Sequence, residues 1–108
     1  MLGFATIRKE NHPDDWLDLQ RWRSLIGEFP ELRRIDSLSV GSRVLRIPDS
    51  AELVDESGKA IGVFVWENGQ IYVDGPYSMF SVAKCIADIL DAYVFDDAGD
   101  ELMEVPDE

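Results

Sequence analysis

The chain has 108 residues, of which 45% are hydrophobic and 30% are charged, and its formal net charge is −12. This composition is typical of one globular domain, residues 1–108, and excludes a chain that is disordered throughout. The acidic excess argues against contact with nucleic-acid phosphates or anionic membranes, because both would repel the protein.

A reduced, cytoplasmic setting is expected from three features. No apolar run approaches the roughly 18–20 residues that span a bilayer. Residues 1–10 lack the apolar segment of a secretory signal. Cys85 is the single cysteine and cannot form an intramolecular disulfide.

The first half of the chain predicts one helix between strands. Residues 3–8 alternate small or apolar with polar side chains, which predicts a strand. A helix is predicted over about residues 13–28, because proline suits a first helical turn and apolar residues then recur every three or four positions. Residues 31–38 are interpreted as a connector, and residues 40–47 as a strand ended by Pro48 and Asp49.

The centre of the fold is predicted to be a three-strand meander at residues 51–75. Asn68-Gly69 is a preferred pair for a two-residue hairpin turn, and it predicts that Trp66 pairs with Ile71. The same register places Val65 opposite Tyr72 on the second face. Both faces of this hairpin are therefore apolar, so we expect a helix on one face and either the other helix or another chain on the second.

A second helix is predicted over about residues 78–93, with Cys85 among its apolar positions and so in the core. Residues 93–95 and 102–103 flank a turn and could form a terminal hairpin. The fold class expected is α+β: an antiparallel sheet of four to five strands packed with two helices. The acidic segment 96–108 is expected to be partly mobile.

The sequence contains no motif that indicates catalysis, a cofactor or a metal site. His12 is the only histidine, so the common zinc sites and the Ser-His-Asp and Cys-His arrangements lack their residues. The run of residues 96–101 lacks the ligand order of a calcium-binding EF-hand loop. We therefore expect a protein that is not an enzyme.

The acidic charge is concentrated in one half of the chain. Residues 1–47 carry eight basic and seven acidic side chains, whereas residues 48–108 carry two basic and fifteen acidic ones. Such an imbalance favours a basic partner, because opposite charge speeds association. The carboxylates expected to face this partner lie on and after the second helix: Asp88, Asp91, Asp96, Asp97, Asp100, Glu101 and Glu104.

Three interpretations of the function stay open. The first is a small acidic module that occupies a basic surface of a nuclease, a toxin or a nucleic-acid-binding protein. It would act as an inhibitor, antitoxin, immunity or phage anti-defence protein, with carboxylates spaced like nucleic-acid phosphates. The alternative is a structural or regulatory subunit that forms homodimers through the apolar face of the 61–74 hairpin. In the third, the acidity serves only solubility or growth at high salt.

Overall fold

The computed structural model describes residues 2–96 and 98–102, and this part of the chain forms six strands and two α-helices. A short 3₁₀ turn, Tyr77–Met79, precedes the second helix. The elements are β1 Leu2–Arg8, α1 Leu19–Glu28, β2 Leu32–Val40, β3 Arg43–Val54, β4 Ala60–Glu67, β5 Gln70–Pro76, α2 Phe80–Ile89 and β6 Tyr93–Asp96.

The six strands form one antiparallel sheet in the order β2-β3-β4-β5-β1-β6. The α+β class is confirmed, with one or two strands more than predicted. Both helices pack on the same face, where the core lies. Trp22 of α1 meets Phe64 of β4 edge to face at 6.2 Å between ring centroids. Ile86 of α2 is fully buried in the same core.

The hairpin of β4 and β5 confirms the strongest local prediction. Asn68 and Gly69 both have positive φ, 51° and 81°, as a two-residue turn of this type requires. Trp66 pairs with Ile71 and Val65 pairs with Tyr72, in the predicted register.

The prediction of a connector at residues 31–38 is wrong, because these residues form most of β2. β2 is an edge strand, and only Leu32 is buried, so its sequence lacks the apolar alternation of a half-covered strand. β3 also continues through Pro48, because a register shift opposite Asp36 accommodates residues 47–49. Beyond this bulge, residues 37–46 form a two-stranded extension, here called the arm.

Helix α1 begins at Leu19, six residues later than predicted. Asp18 is its N-cap and accepts hydrogen bonds from the backbone N–H groups of Gln20 and Arg21, at 2.9 and 3.1 Å. Residues before the cap contact the hairpin turn instead of forming a helix. Leu17 N–H donates to the Gly69 carbonyl at 2.9 Å. His12 Nε2 donates to the Asn68 carbonyl at 2.8 Å.

Helix α2 is shorter than predicted at both ends. It ends at Ile89, and Asp91 has a φ of +55° beyond it. Ala92 N–H donates to the Ala87 carbonyl at 2.8 Å, which closes the helix and lets Tyr93 begin β6. Cys85 is exposed, so its assignment to the core is wrong, because it lies on the solvent side of the helix.

The terminal hairpin is present in the described residues. Phe95 bridges Glu101, and Leu102 N–H donates to the Val94 carbonyl at 2.7 Å. Residues 97 and 103–108 lie outside the described part of the chain, as does most of the segment expected to be mobile.

Candidate protein-binding surface

The predicted partner-binding carboxylates that the structure describes lie at the end of α2 and around β6. Asp88, Asp91, Asp100 and Glu101 are exposed, and we call these four residues the acidic side; the first two precede β6 and the last two follow it. Asp97 and Glu104 are outside the described residues. Sequence reasoning therefore located a group of exposed carboxylates, although the roles of its members differ.

Asp88 and Asp91 lie where a carboxylate destabilises a helix. The C-terminal end of a helix carries partial negative charge, so cations are favoured there. Asp88 is in the last turn of α2, and Asp91 is the left-handed residue just beyond it, a position that usually holds glycine. Aspartate tolerates the positive φ of Asp91, but the negative charge of neither residue is explained by the stability of the helix.

Two lysines partly neutralise this helix end. Lys84 Nζ lies 3.9 Å from Asp88, and Lys9 Nζ lies 3.9 Å from Asp91. Both aspartates are well exposed, so such contacts contribute little. Lys84 also precedes Asp88 along the helix, which is the less favourable order for an ion pair four residues apart.

Asp100 and Glu101 make no ion pair within the described residues. No cation of the described residues 2–96 and 98–102 therefore neutralises these two carboxylates.

Asp96, also predicted to face the partner, has a structural role in addition. Its Oδ1 accepts hydrogen bonds from the backbone N–H groups of Ala98 and Asp100, at 3.0 and 2.9 Å. Its own N–H donates to the Asp100 carbonyl at 2.8 Å. Asp96 therefore builds the turn that presents Asp100 and Glu101, and its side chain is committed to that turn. The sequence signal for this role was the turn-like run of residues 96–100.

A second feature lies on the sheet face opposite the helices. Of the two covers expected for the Val65–Tyr72 face, the second helix is excluded, because both helices pack on the other side, and another chain stays a prediction. This uncovered face holds a groove of about 610 Å³. Its main apolar lining residues are Phe4, Leu38, Val63, Val65, Tyr72 and Phe95.

Sequence reasoning missed the part of this groove that β1 contributes. β1 inserts between β5 and β6, so Thr6 pairs with Tyr72 and Phe4 pairs with Asp74. Ala5 and Ile7 are buried toward the core, whereas Phe4 is exposed. The alternation of residues 3–8 predicted the strand β1, but no local pattern indicated which strands pair with it.

The charged groups in the groove are Arg8, Asp74 and Asp96. The Arg8 guanidinium lies over the Phe95 ring, 3.8 Å from its centroid, which is a cation–π contact. Asp74 is exposed and Asp96 holds its turn, so Asp74 is the carboxylate of the groove that is best placed to bind a partner.

A shallower cleft of about 470 Å³ lies at the hairpin turn. Trp16 and Trp66 line it together with Arg46 and Glu67. Trp16 is 54% exposed, and its ring lies against Gly69, so the indole is held in place by the turn. Trp16 therefore packs on the hairpin turn and lies outside the core.

The polar contacts of α1 stabilise the β3 bulge. Trp22 Nε1 donates to the Asp49 carbonyl at 2.7 Å, and Arg23 Nε donates to Asp49 Oδ1 at 2.8 Å. This hydrogen bond raises the pKa of Arg23 above its usual value, against the opposing effect of desolvation. The bulge is therefore an anchored structural element.

Within residues 2–96 and 98–102, no three histidine, cysteine or acidic side chains converge as metal ligands do. Neither helix of this part of the chain is long and apolar enough to cross a bilayer. Comparison of the chain with protein-family models, with curated proteins and with solved structures finds no match.

Proposed function

We propose that this protein is a binding module whose acidic side occupies a basic surface of another macromolecule. Partners of suitable charge are nucleases, toxins and nucleic-acid-binding proteins. An inhibitor of this kind competes with nucleic acid for the basic surface and needs no catalytic group of its own. Its carboxylates take the place of phosphates.

The observation that carries the proposal is the position of Asp88 and Asp91 at the negative end of α2. Residues that only add solubility can lie anywhere on the surface, including sites where a negative charge stabilises the fold. A carboxylate at a helix C-terminus costs about 0.3–1 kcal/mol. Two neighbouring aspartates at this end favour a role outside folding.

Asp100 and Glu101 support the same proposal, because both are exposed and neither forms an ion pair with another described residue. A surface of one sign raises the association rate with a partner of the opposite sign, and salt screens this effect. The expected behaviour is fast association that slows steeply as the salt concentration rises.

The test compares two charge-reversal variants of equal net charge. The first replaces Asp88, Asp100 and Glu101 with lysine and leaves the turn-building Asp96 intact. The matched control replaces Glu10, Asp14 and Asp15, which are exposed carboxylates of the segment before α1. Each reversal adds two charges, so both variants carry −6 instead of −12. Capture of basic proteins from a lysate of the source organism is quantified at low and high salt.

We expect the first variant to lose partners whose binding depends on salt and which the wild type and the control retain. The association rate with an isolated partner is expected to fall at least about tenfold at low salt. Equal losses in the two variants contradict the proposal, because only the net charge, and no particular surface, then matters.

A further inference from the structure

The uncovered sheet face has the composition of an interface. The solvent face of an antiparallel sheet usually carries polar side chains in alternation with the core residues. Here Phe4 is 61% exposed and Tyr72 is 41% exposed, and both line the groove with Val63 and Val65. Large apolar side chains grouped on one exposed face indicate a partner surface.

The arm extends this apolar face beyond the groove. Leu38 pairs with Leu45, and Val40 pairs with Arg43, so these four side chains share one side of the arm. Leu38 lines the groove, so that side of the arm is continuous with the uncovered face. Val40 and Leu45 are 53% and 45% exposed there. One surface therefore carries both a recess and a protruding apolar tip.

The two ends of this surface also carry opposite charges. Arg43 is at the tip of the arm, and Arg43 and Arg46 are the only charged residues between Ser37 and Pro48. Asp74 lines the groove at the other end, paired with Phe4 of β1. The groove also holds Arg8 and Asp96, so its two carboxylates exceed its one guanidinium, and the surface has a basic protrusion and a recess of net negative charge.

We propose that the occupant of this groove is a second copy of the chain, bound face to face about a two-fold axis. In an isologous contact one patch binds its own copy, so it must carry both members of each complementary pair. This patch carries both members of two such pairs. The arm is complementary in shape to the groove, and Arg43 is complementary in charge to Asp74. The arm tip of each protomer enters the groove of its partner, and Arg43 reaches the partner's Asp74.

The area of the face is sufficient for a dimer. Six strands at about 4.8 Å spacing and about 20 Å of strand length give nearly 600 Å² per protomer, or about 1,200 Å² in total. That value is at the lower end of stable interfaces. Because each chain carries −12, long-range repulsion opposes the dimer, and we expect a weak dimer that salt strengthens.

This dimer does not depend on the proposed function and is compatible with it. Asp88 and Asp91 lie at the end of α2, in the helix layer on the other side of the sheet. Two protomers joined through their sheets therefore present this part of their acidic sides outward. The dimer doubles the number of binding surfaces for a basic partner.

The first experiment measures the dimerisation constant of the full chain by sedimentation equilibrium at low and high salt. Tyr72→Glu places a charge in the groove, and Ile89→Glu is the matched control on α2, where Ile89 is 40% exposed. We expect Tyr72→Glu to weaken the dimer at least about tenfold and Ile89→Glu less than about threefold. Circular dichroism checks that both variants keep the fold.

The second experiment is a charge exchange. Arg43→Asp and Asp74→Arg are each expected to weaken the dimer, and the double variant is expected to restore most of the loss. A wild type that stays monomeric up to about 1 mM at high salt overturns the proposal, as do equal effects of Tyr72→Glu and Ile89→Glu. Salt separates the two hypotheses, since binding of a basic partner weakens with salt whereas this dimer strengthens.

Discussion

Gly69 satisfies two separate requirements at the hairpin turn. Its φ is +81°, and a Cβ added to it would collide with the ring of Trp16. Gly58 provides a control, because its φ is +87° but nothing lies within 4 Å of an added Cβ. Substitution of either glycine therefore carries the cost of a left-handed backbone. Only substitution of Gly69 adds a steric collision.

We expect Gly58→Ala to lower the free energy of unfolding by about 1–2 kcal/mol, the cost of a left-handed backbone. Gly69→Ala is expected to exceed this by at least about 1 kcal/mol, because Trp16 must move. Urea unfolding measures both values. If Trp16→Ala does not reduce the excess cost of Gly69→Ala in the double variant, the collision is not its cause.

Asp55 makes the β3–β4 turn sensitive to acid. Its Oδ1 accepts hydrogen bonds from the Ser57 hydroxyl at 2.6 Å and from the N–H groups of Ser57 and Lys59, at 2.9 and 3.0 Å. The Ser57 hydroxyl contributes most to lowering the pKa of Asp55 below its ordinary 3.8.

Because the folded pKa is the lower one, the stability that Asp55 contributes is present above pH 3.8 and is lost as the pH falls through the folded value. We expect NMR titration to give a midpoint below 3.8 for the Asp55 carboxyl. In Ser57→Ala the midpoint is expected to move back up. A midpoint that does not change in Ser57→Ala contradicts this assignment of the cause.

Among the elements, the end of α2 allows a test of whether the charge of Asp91 lowers the stability of the fold. Asp91→Asn keeps the shape of the side chain and its tolerance of positive φ but removes the charge from the helix end. The expected result is a gain of about 0.3–1 kcal/mol in the free energy of unfolding, measured in urea. Asp14→Asn, exposed and outside both helices, is the control and is expected to change little. A loss of stability in Asp91→Asn would mean that the Lys9 contact outweighs the helix dipole.

Elements with local signals were predictable from the sequence. The hairpin at Asn68-Gly69 depends on two adjacent turn residues, and α2 depends on a clear helical period. β2 was missed because an exposed edge strand needs no apolar alternation. The start of α1 was misplaced because residues 12–17 bind the distant hairpin turn, and tertiary contacts of this kind leave no local pattern.

The candidate surfaces also differ in how far local sequence patterns predict them. The acidic side was predictable, since it lies within one acidic stretch of the chain. The groove was only half predictable. The hairpin register placed Val65 beside Tyr72, but Phe4 reaches the groove through the non-local pairing of β1, and Leu38 reaches it from the arm.

At the scale of the whole molecule, the net charge of −12 opposes the compact state through self-repulsion. Salt screens this repulsion, since the Debye length falls from about 30 Å at 0.01 M to about 8 Å at physiological ionic strength. We therefore expect the melting temperature to rise with sodium chloride over this range, measured at a protein concentration too low for dimers.

The melting temperatures of the two triple charge-reversal variants test where the repulsion is concentrated. Coulomb energy scales with the product of the charges, so halving the net charge reduces the salt dependence of the melting temperature to roughly a quarter. Nonspecific effects of salt on apolar burial are common to the wild type and the two variants, so they cancel when the salt dependences of the melting temperature are compared. The reversal at Asp88, Asp100 and Glu101 is expected to raise the melting temperature at low salt more than the reversal at Glu10, Asp14 and Asp15. Equal gains would mean that the repulsion is spread evenly, and the acidic side would then carry no special cost to folding.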